Sequence, residues 1–464
     1  MQLGHHEEND NIALEKYEAM LKSNKVLFFD SVEFEFIIHY YIDNGMIHKA
    51  KKAITMSLSQ HPDVTSLRLL YVEVLVFENQ LEKAEDLLSK IQEIDSDNDE
   101  ALIQKASILS KRSKHKDAIN ELQKALYFTE DQADVYALLG MEYLFIDDFD
   151  NAKSQFEKCL ELDPDDYSAL YNSINCYVYL DDTEGAIDFL NRYLDTNPYC
   201  EIAWHQLGLQ YSDLEDYKKA IASFDFAIIS DDTFVGAYIE KAKILEKLSR
   251  YQEAIELYTI TLSIEDPTSY ALLRMGKCYE KLDKSEIALE YYSKTVAEDP
   301  LLDKGWLAIT NFYCKNKEYQ KALHHINKAI EIDGENMDYW KRYAEINNRL
   351  ASYDNAELGY RMSIEFGDTS LQNWLDRSDV LWMLSEKDAT IVCLDQALEF
   401  YPENAEILYR LAGVYYETKL DDKAENCLHL ALKKDWEFSI ILEELFPKVF
   451  QRKRVKQICA SYIK

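Results

Sequence analysis

The chain has 464 residues, 47% of them hydrophobic and 29% charged, which is typical of a folded rather than a disordered protein. It contains only 12 Gly and 7 Pro, and this scarcity of turn-forming residues favours an all-helical protein. The formal net charge of −34 disfavours binding to nucleic-acid phosphates or to anionic lipid surfaces.

The first segment of the chain, 1–30, has neither the basic nor the apolar region of a secretory signal peptide. Within it, residues 12–29 are predicted to form one amphipathic helix that covers the open end of the structure that follows. No apolar run along the chain reaches the roughly 18 residues needed to span a bilayer. The eight cysteines form no C-x-x-C pair and are interpreted as small buried apolar residues. We therefore expect a protein of the reducing cytoplasm with no membrane partner.

Residues 31–438 follow an internal period of 34 residues. Steps of 34 from Ala220 reach alanine at eleven of twelve positions, the exception being Thr390, without an insertion or deletion. With this alanine placed at position 20, the repeats start at residues 31, 65, 99, 133, 167, 201, 235, 269, 303, 337, 371 and 405. Such a period predicts twelve stacked units of one kind.

Several other positions of the repeat also keep their chemistry. Position 4 is often Trp, position 8 is Gly in three repeats and otherwise mostly small or apolar, position 11 is often Tyr, and five of the seven prolines occupy position 32. Positions 4, 7, 8 and 11 share one helix face, and positions 20, 24 and 27 share a face of a second helix. A small residue at position 8 is predicted to meet the alanine at position 20, so that the two helices approach closely. Proline at position 32 ends the second helix, which makes each repeat a helix–turn–helix that must stack to bury its apolar face.

The last segment, 439–464, begins like a thirteenth repeat, but Ile458 replaces the expected alanine and Pro447 interrupts the pattern. We predict a basic capping helix here, because six Lys or Arg follow Pro447 and no acidic residue follows Glu444. Two interpretations remain open. Either these cations complement the helix dipole and the acidic body, or they form a tail that binds an anion or a partner.

The repeat that starts at residue 201 carries a recognisable set of residues: Trp204, Leu207, Gly208, Tyr211, Ala220, Phe224 and Ala227. This set resembles the tetratricopeptide repeat (TPR) family, whose pattern is W-x2-L-G-x2-Y followed by A-x3-F-x2-A and Pro. Asp232 stands where the family has proline. The resemblance covers 31–438 and implies an all-α, right-handed α-solenoid (superhelix) with helical caps at both ends. It also implies a concave groove lined by the first helix of each repeat, with positions 2, 5, 9 and 12 facing inward.

No sequence motif of a catalytic or cofactor site stands out. The patterns G-x-G-x-x-G, G-x4-G-K-[ST], H-E-x-x-H and G-x-S-x-G are absent. No His/Cys cluster has zinc-site spacing, and the adjacent histidines at 324–325 point apart on a helix. We therefore predict a protein that is not an enzyme, with no catalytic residue, metal site or cofactor.

The groove positions single out the middle of the chain. In a protein of charge −34, Lys243 and Lys277 occupy position 9 of adjacent repeats, and Arg274 occupies position 6 of the second. Such a local positive feature suits a carboxylate, an acidic peptide or a C-terminus. The alternative is that these lysines are solvated or form ion pairs with Glu246 and Glu280, three residues along the same helices.

Aromatic groove positions occur towards the C-terminal end, with Trp382 and Tyr416 at position 12. They are candidate anchors for an apolar partner segment, although packing within the fold explains them equally well. The candidate partner-binding residues are Tyr171, Asn175, His205, Lys243, Arg274, Lys277, Asn311, Trp382 and Tyr416.

These features favour a protein–protein interaction scaffold that holds a segment of a partner protein or peptide in its concave groove, as a monomer or a homodimer. The partner would carry acidic groups or a C-terminal carboxylate, and nucleic acid is not expected to bind. The alternative is a structural subunit that self-associates, or builds a larger complex, through the outer edges of the superhelix. Loss of partner binding on reversing the charge of Lys243 and Lys277 would favour the first hypothesis, and a solution mass well above 54.3 kDa would favour the second.

Overall fold

The computed structural model describes residues 3–23, 26–264 and 268–462. Within these ranges the regular secondary structure is helical throughout. The chain divides into two compact units, an N-terminal unit (Met1–Ser230) and a C-terminal unit (Asp231–Lys464). No helix among the described residues has both the length and the apolar character required to cross a membrane.

The N-terminal unit consists of thirteen helices in its described residues. They are α1 (Leu3–Ser23), α2 (Ser31–Asp43), α3 (Ile47–Gln60), α4 (Thr65–Phe77), α5 (Leu81–Gln92), α6 (Asp99–Lys111), α7 (His115–Ala125), α8 (Gln132–Leu144), α9 (Phe149–Leu162), α10 (Tyr167–Tyr179), α11 (Thr183–Thr196), α12 (Glu201–Asp213) and α13 (Tyr217–Ser230). From α2 onward each repeat contributes one pair of helices, and consecutive pairs pack against each other.

The C-terminal unit continues the same arrangement and ends in shorter elements. Its helices are α14 (Val235–Lys247), α15 (Tyr251–Ile264), α16 (Ser269–Lys281), α17 (Ser285–Glu298), α18 (Asp303–Lys315), α19 (Tyr319–Ile332), α20 (Met337–Arg349), α21 (Tyr353–Glu365), α22 (Leu371–Met383), α23 (Lys387–Phe400), α24 (Ala405–Glu417), α25 (Asp421–Lys434), α26 (Ile440–Leu445), α27 (Pro447–Phe450) and α28 (Lys453–Ala460). A short 3-10 turn, Glu437–Ser439, precedes α26.

The 34-residue period corresponds to one pair of helices. Every alanine of position 20 is buried, with at most 1% of its surface exposed, and Thr390 in the same column is equally buried and donates its hydroxyl to the Glu386 carbonyl. The prolines of position 32 act as predicted. Each follows two residues after a helix ends, as Pro198 follows α11, because proline disfavours a helical conformation in the residue before it.

The small residue at position 8 has a nearer neighbour than the alanine that was predicted to meet it. A Cβ at Gly140 would overlap the Phe156 ring, and a Cβ at Gly208 would overlap the Phe224 ring. Gly276 bears the same relation to Tyr292. Position 24 therefore supplies the aromatic ring that fills the space above position 8. The predicted approach of position 20 also occurs, since a Cβ at Gly276 would lie 3.3 Å from the backbone carbonyl oxygen of Ala288. Glycine is required because the ring is fully buried and cannot move aside.

The turn between the two helices has a feature that the sequence did not predict. The residue at position 15 has a positive φ, between 54° and 67°, in all twelve repeats, and only Gly45 among them is a glycine. The next residue donates its N–H back to the carbonyl of position 11, as Asp216 does to Tyr211 at 2.9 Å. This is the hydrogen-bond pattern of a helix C-terminus closed by a left-handed residue. Polar residues such as Asp147 fill the position, so glycine content gives no signal for this turn.

Both ends of the repeat array are covered by additional segments. At the N-terminus, Ala13, Tyr17 and Met20 of α1 are buried against α2, in a cluster that includes Phe34. Helix α1 ends at Ser23, whereas the sequence predicted a helix through residue 29. At the C-terminus three short helices replace the single predicted one. The chain leaves the helical conformation at Phe446 (φ −130°, ψ 56°), because the residue before Pro447 is sterically pushed out of it.

Candidate functional site

A basic pocket lies between the first helices of three consecutive repeats in the C-terminal unit, α14, α16 and α18. Its volume is about 830 Å³. Six cationic side chains line it: Lys243, Lys247, Arg274, Lys277, Lys281 and Lys315. Only three carboxylates do so: Glu246, Glu280 and Asp283. In a chain with a net charge of −34, this excess of positive charge is a local inversion, which suits an anionic ligand.

Arg274 is fully engaged within the pocket wall. Its Nε and Nη2 donate to the two carboxylate oxygens of Glu246 at 2.9 and 2.7 Å. The Tyr258 hydroxyl donates to the same carboxylate at 2.7 Å. Burial disfavours the charged guanidinium, but Glu246 outweighs this effect and raises the pKa of Arg274. The arginine therefore shapes the pocket and holds α16 to α14, and its charge is largely neutralised.

Lys243 has a partner on its own helix. Its Nζ donates to Glu240 at 2.7 Å and lies 5.5 Å from the centre of the Tyr270 ring. Burial opposes the charge, but the hydrogen bond that Lys243 donates to Glu240, together with the negative charge of Glu240, raises the pKa of this lysine. The alternative considered from the sequence, pairing with Glu246, does not occur because Arg274 occupies that carboxylate.

Lys277 differs from its neighbours. It is half-buried, and no carboxylate of the described residues lies within ion-pair distance of its Nζ. Burial lowers its pKa, and the positive charge of Arg274 lowers it further. Glu280, its predicted partner three residues along, instead accepts a hydrogen bond from the Tyr292 hydroxyl at 2.8 Å. An ammonium group in this state is stabilised by any anion that enters the pocket.

The remaining predicted residues of the middle region are not part of this pocket. Asn311 is half-buried on α18 and is not a lining residue; its side-chain oxygen is buried without a hydrogen bond in the described structure. Tyr171, Asn175 and His205 belong to the N-terminal unit. Tyr171 and Asn175 are exposed on α10, whereas His205 is half-buried with its ring 5.6 Å from that of Phe224. The structure thus brings together Lys243, Arg274 and Lys277 from the predicted set.

The aromatic residues predicted near the C-terminus are covered by the last segment of the chain. The Trp382 ring packs against Phe446 with 4.9 Å between ring centres. Tyr416 is only 2% exposed, and the Arg452 guanidinium lies 5.4 Å from its ring. A Cβ at Gly413, between them on α24, would overlap the Phe446 ring. In this conformation both aromatic residues serve as packing surface for α26 to α28.

The cations of that last segment are paired with the acidic body. Arg454 makes a bidentate contact with Glu425 at 2.9 and 3.0 Å, and Arg452 reaches Asp421 at 3.4 Å. Both carboxylates lie on α25. These contacts favour the interpretation in which the basic residues complement the acidic body.

Half of the cations in the pocket were missed by the sequence analysis, although a signal for them exists. Lys247, Lys281 and Lys315 all occupy position 13 of their repeats. Position 13 is not among the positions expected to face the groove, so these lysines were not predicted. The structure shows that these side chains, at the end of each first helix, complete the rim of the pocket.

The fold defines a class of protein, an all-α solenoid whose repeating element is a pair of helices. Family models described as "Tetratricopeptide repeat" match residues 133–166, 205–270 and 270–301. Tetratricopeptide repeats therefore occupy residues 133–166 and 205–301 of the chain.

Two curated proteins are similar to parts of the chain. Anaphase-promoting complex subunit 3 of Schizosaccharomyces pombe is 25% identical over 140 residues, which are 30% of this chain and 21% of that protein. The BBSome complex member BBS4 of Bos taurus is 24% identical over 213 residues, 45% of this chain and 40% of that protein. The matched part thus spans less than half the length of either relative.

Solved structures also resemble the chain. The crystal structure of the APC/C hetero-tetramer Cut9-Hcn1 covers 88% of this chain and 94% of its own, with 14% identity and a TM-score of 0.37. That of MamA covers 35% of this chain and 94% of its own, with 22% identity and a TM-score of 0.33.

Proposed function

We propose that the protein is a non-catalytic interaction scaffold whose basic pocket binds an acidic segment of a partner protein. The single observation that carries the proposal is Lys277, a half-buried ammonium group without a carboxylate partner among the described residues. A carboxylate supplied by a partner would neutralise it. The surrounding exposed lysines, Lys247, Lys281 and Lys315, would steer a negatively charged segment towards it.

The pocket supports recognition of carboxylate groups in particular. Arg274 and Lys243 are already neutralised by Glu246 and Glu240, so the ligand need not compensate the whole cationic set. Lys277 offers a point charge, and a chain-terminal carboxylate or an Asp or Glu side chain satisfies it equally well. Isothermal titration with acidic peptides of one sequence, bearing either a free or an amidated C-terminus, distinguishes these two sources.

The decisive variant combines Lys243→Glu with Lys277→Glu. We expect at least a tenfold loss of affinity for the acidic peptide, because the contact at Lys277 becomes repulsive and the glutamate at position 243 adds a second negative charge to the pocket. Lys294→Gln is the matched control, since Lys294 lies on the second helix of the same repeat and does not line the pocket. Unchanged affinity in the double variant would refute the proposal, provided that its circular dichroism spectrum matches that of the parent chain.

A role as a complex-building subunit is the second candidate. Both curated relatives are named as members of larger complexes. In the N-terminal unit, Ile94, Phe128 and Leu162 occupy the same position of three consecutive repeats, with 76%, 49% and 55% of their surfaces exposed. Light scattering tests self-association. A mass well above 54.3 kDa that returns to this value in Ile94→Ser with Phe128→Ser would favour assembly through this edge.

The location proposed for the protein is the reducing cytoplasm. All eight cysteines are free thiols, and six of them are buried. Burial raises the pKa of thiols such as Cys159 and Cys393 to about 12, so they remain protonated and unreactive.

A further inference from the structure

A second groove, of different chemistry, lies in the N-terminal unit. It is formed by the first helices of three consecutive repeats, α4, α6 and α8, and has a volume of about 530 Å³. Val76 and Leu122 contribute buried apolar surface to its floor, and Ile103 is half-buried beside them. We name this surface the apolar groove.

The walls of the apolar groove expose large hydrophobic side chains to solvent. Phe77 is 64% exposed and Phe145 is 56% exposed, and both occupy position 13 of their repeats. Leu138 and Met141, on the same helix as each other, are 40% and 37% exposed. Four such side chains around one concave surface are unusual for a surface that stays in water, and they mark a site where apolar groups of another molecule are buried.

The charges beside the groove are mainly negative. Glu73 lines it, and Glu100 is close enough to interact electrostatically with Glu73 from the next repeat. Neither carboxylate has a cation within ion-pair distance among the described residues. The other lining carboxylate, Glu142, is held by His115 at 2.9 Å. Lys111 is the only lysine or arginine among the lining residues, and it is exposed.

Burial and neighbouring acids favour the protonated form of both members of this acidic pair. Burial raises the pKa of Glu73, with His39 opposing and Asp43 adding to the effect. Burial also raises the pKa of Glu100 to about 7, and the negative charges of Glu73, Asp99 and Glu35 contribute. A cation placed between these carboxylates would lower both pKa values and gain a partly desolvated ion pair.

We propose that the apolar groove binds a partner segment that combines apolar side chains with Lys or Arg. The apolar side chains enter between Phe77, Met141 and Phe145, and the cations lie against Glu73 and Glu100. Charge complementarity selects this occupant over an acidic segment. The basic segment of a second copy is a poorer candidate, because Arg452 and Arg454 are already paired within their own chain.

The apolar groove is distinct from the basic pocket, so the proposal made for one site can be wrong while the proposal for the other holds. A random peptide library displayed on phage is selected on the full chain, with counter-selection against the variant Phe77→Ser with Glu73→Lys. We expect the enriched sequences to combine aromatic, Leu or Met residues with an excess of Lys and Arg. Enrichment of acidic sequences, or no enrichment beyond that of the counter-selected variant, would overturn the proposal.

Affinity measurements on one enriched peptide then test each side chain. We expect at least a tenfold loss of affinity in Phe77→Ser, whereas the control Tyr127→Ser, an exposed aromatic residue of the next repeat outside the groove, stays within twofold. Because Phe77 is mostly exposed, its replacement leaves the fold intact. Equal losses in both variants would contradict the assignment.

Charge reversal provides the most specific test. Glu73→Lys should lower the affinity for the basic peptide and raise the affinity for the same peptide with its Lys and Arg changed to Glu. Glu93→Lys, which changes an exposed acid of the same repeat outside the groove, should alter neither affinity. If instead light scattering shows a dimer of the parent chain that dissociates in Phe77→Ser, the occupant is a second copy and the proposal is wrong.

Discussion

The repeats that start at 65, 99 and 133 and those that start at 235, 269 and 303 share one packing scheme but present opposite surfaces. At position 13 the first group carries Phe77, Lys111 and Phe145, and the second carries Lys247, Lys281 and Lys315. At position 9 the first group carries Glu73, Ser107 and Met141, and the second Lys243, Lys277 and Asn311. One surface is apolar beside acids, and the other is polar and basic.

This difference separates two kinds of position in the repeat. Position 20 lies between helices, where close packing tolerates little change, and it is alanine in all six repeats of the two groups. Positions 8 and 24 are also buried, but their residues vary within each group. Positions 9 and 13 are at the edge of the packed interface, where a side chain of any polarity fits. The scaffold can therefore carry different binding chemistry along one chain without altering its fold.

The largest expected effect tests the packing scheme that the two groups of repeats share. Gly140→Val and Gly276→Val, one in each group, should lower the free energy of unfolding by a similar amount, about 3 kcal/mol, because the new side chain overlaps a buried ring. Phe156 and Tyr292 are each 1% exposed and have no space to retreat. Urea unfolding followed by circular dichroism measures the effect. A loss in only one group would show that the two packing schemes are not equivalent.

A smaller effect distinguishes two cations within the basic pocket. Arg274→Gln should destabilise the fold by about 2 kcal/mol, since it leaves the Glu246 carboxylate, with a side chain only 12% exposed, without its cation. Lys277→Gln should be neutral or slightly stabilising, because it removes a half-buried charge that has no carboxylate partner in the described structure.

Although Lys277→Gln should not destabilise the fold, it should reduce the affinity for the acidic peptide. We expect calorimetric titration to show weaker binding of the acidic peptide to Lys277→Gln, and differential scanning fluorimetry to show an unchanged melting temperature. A clear loss of stability in Lys277→Gln would mean that the lysine is a structural ion-pair partner, and would remove the main support for the pocket as a binding site.

Sequence patterns predicted the packing and part of the site for identifiable reasons. The alanines of position 20 and the prolines of position 32 reveal the fold because one steric requirement recurs in every repeat. Lys243 and Lys277 stood out because their charge contrasts with the rest of the chain. The pairing of Arg274 with Glu246, which leaves that carboxylate unavailable to Lys243, could not be predicted in the same way, because the two residues belong to different repeats and lie 28 residues apart.

Other features depend on contacts that leave no local signal. The covering of Trp382 and Tyr416 follows from the path that the chain takes after Pro447, which repeat periodicity cannot give. The apolar groove was overlooked because Phe77 and Phe145 resemble core residues in sequence. Only their exposure in the structure distinguishes them from packing aromatics such as Phe156.

The smallest expected effect concerns the acidic residues beside the apolar groove. Because the folded-state pKa of Glu100 is raised to about 7, the folded protein retains a proton that the unfolded chain releases between about pH 4.5 and pH 7. The free energy of unfolding should therefore fall as pH rises through this window. Allowing for the partial exposure of Glu100, the contribution is about 1 to 2 kcal/mol.

The variant Glu100→Gln should abolish that part of the pH dependence. Its melting temperature should match the parent near pH 4.5 and exceed it above pH 7, since Glu73, Glu35 and Asp99 no longer face a fourth negative charge. Glu130→Gln, an exposed acid of the same repeat, controls for the change in net charge. Addition of the selected basic peptide should raise the melting temperature of the parent more above pH 7 than near pH 4.5, because only the ionised carboxylate attracts the cation. If the rise in melting temperature caused by the peptide is independent of pH, Glu73 and Glu100 do not contribute to peptide binding. The apolar groove would then recognise the peptide through apolar contacts alone.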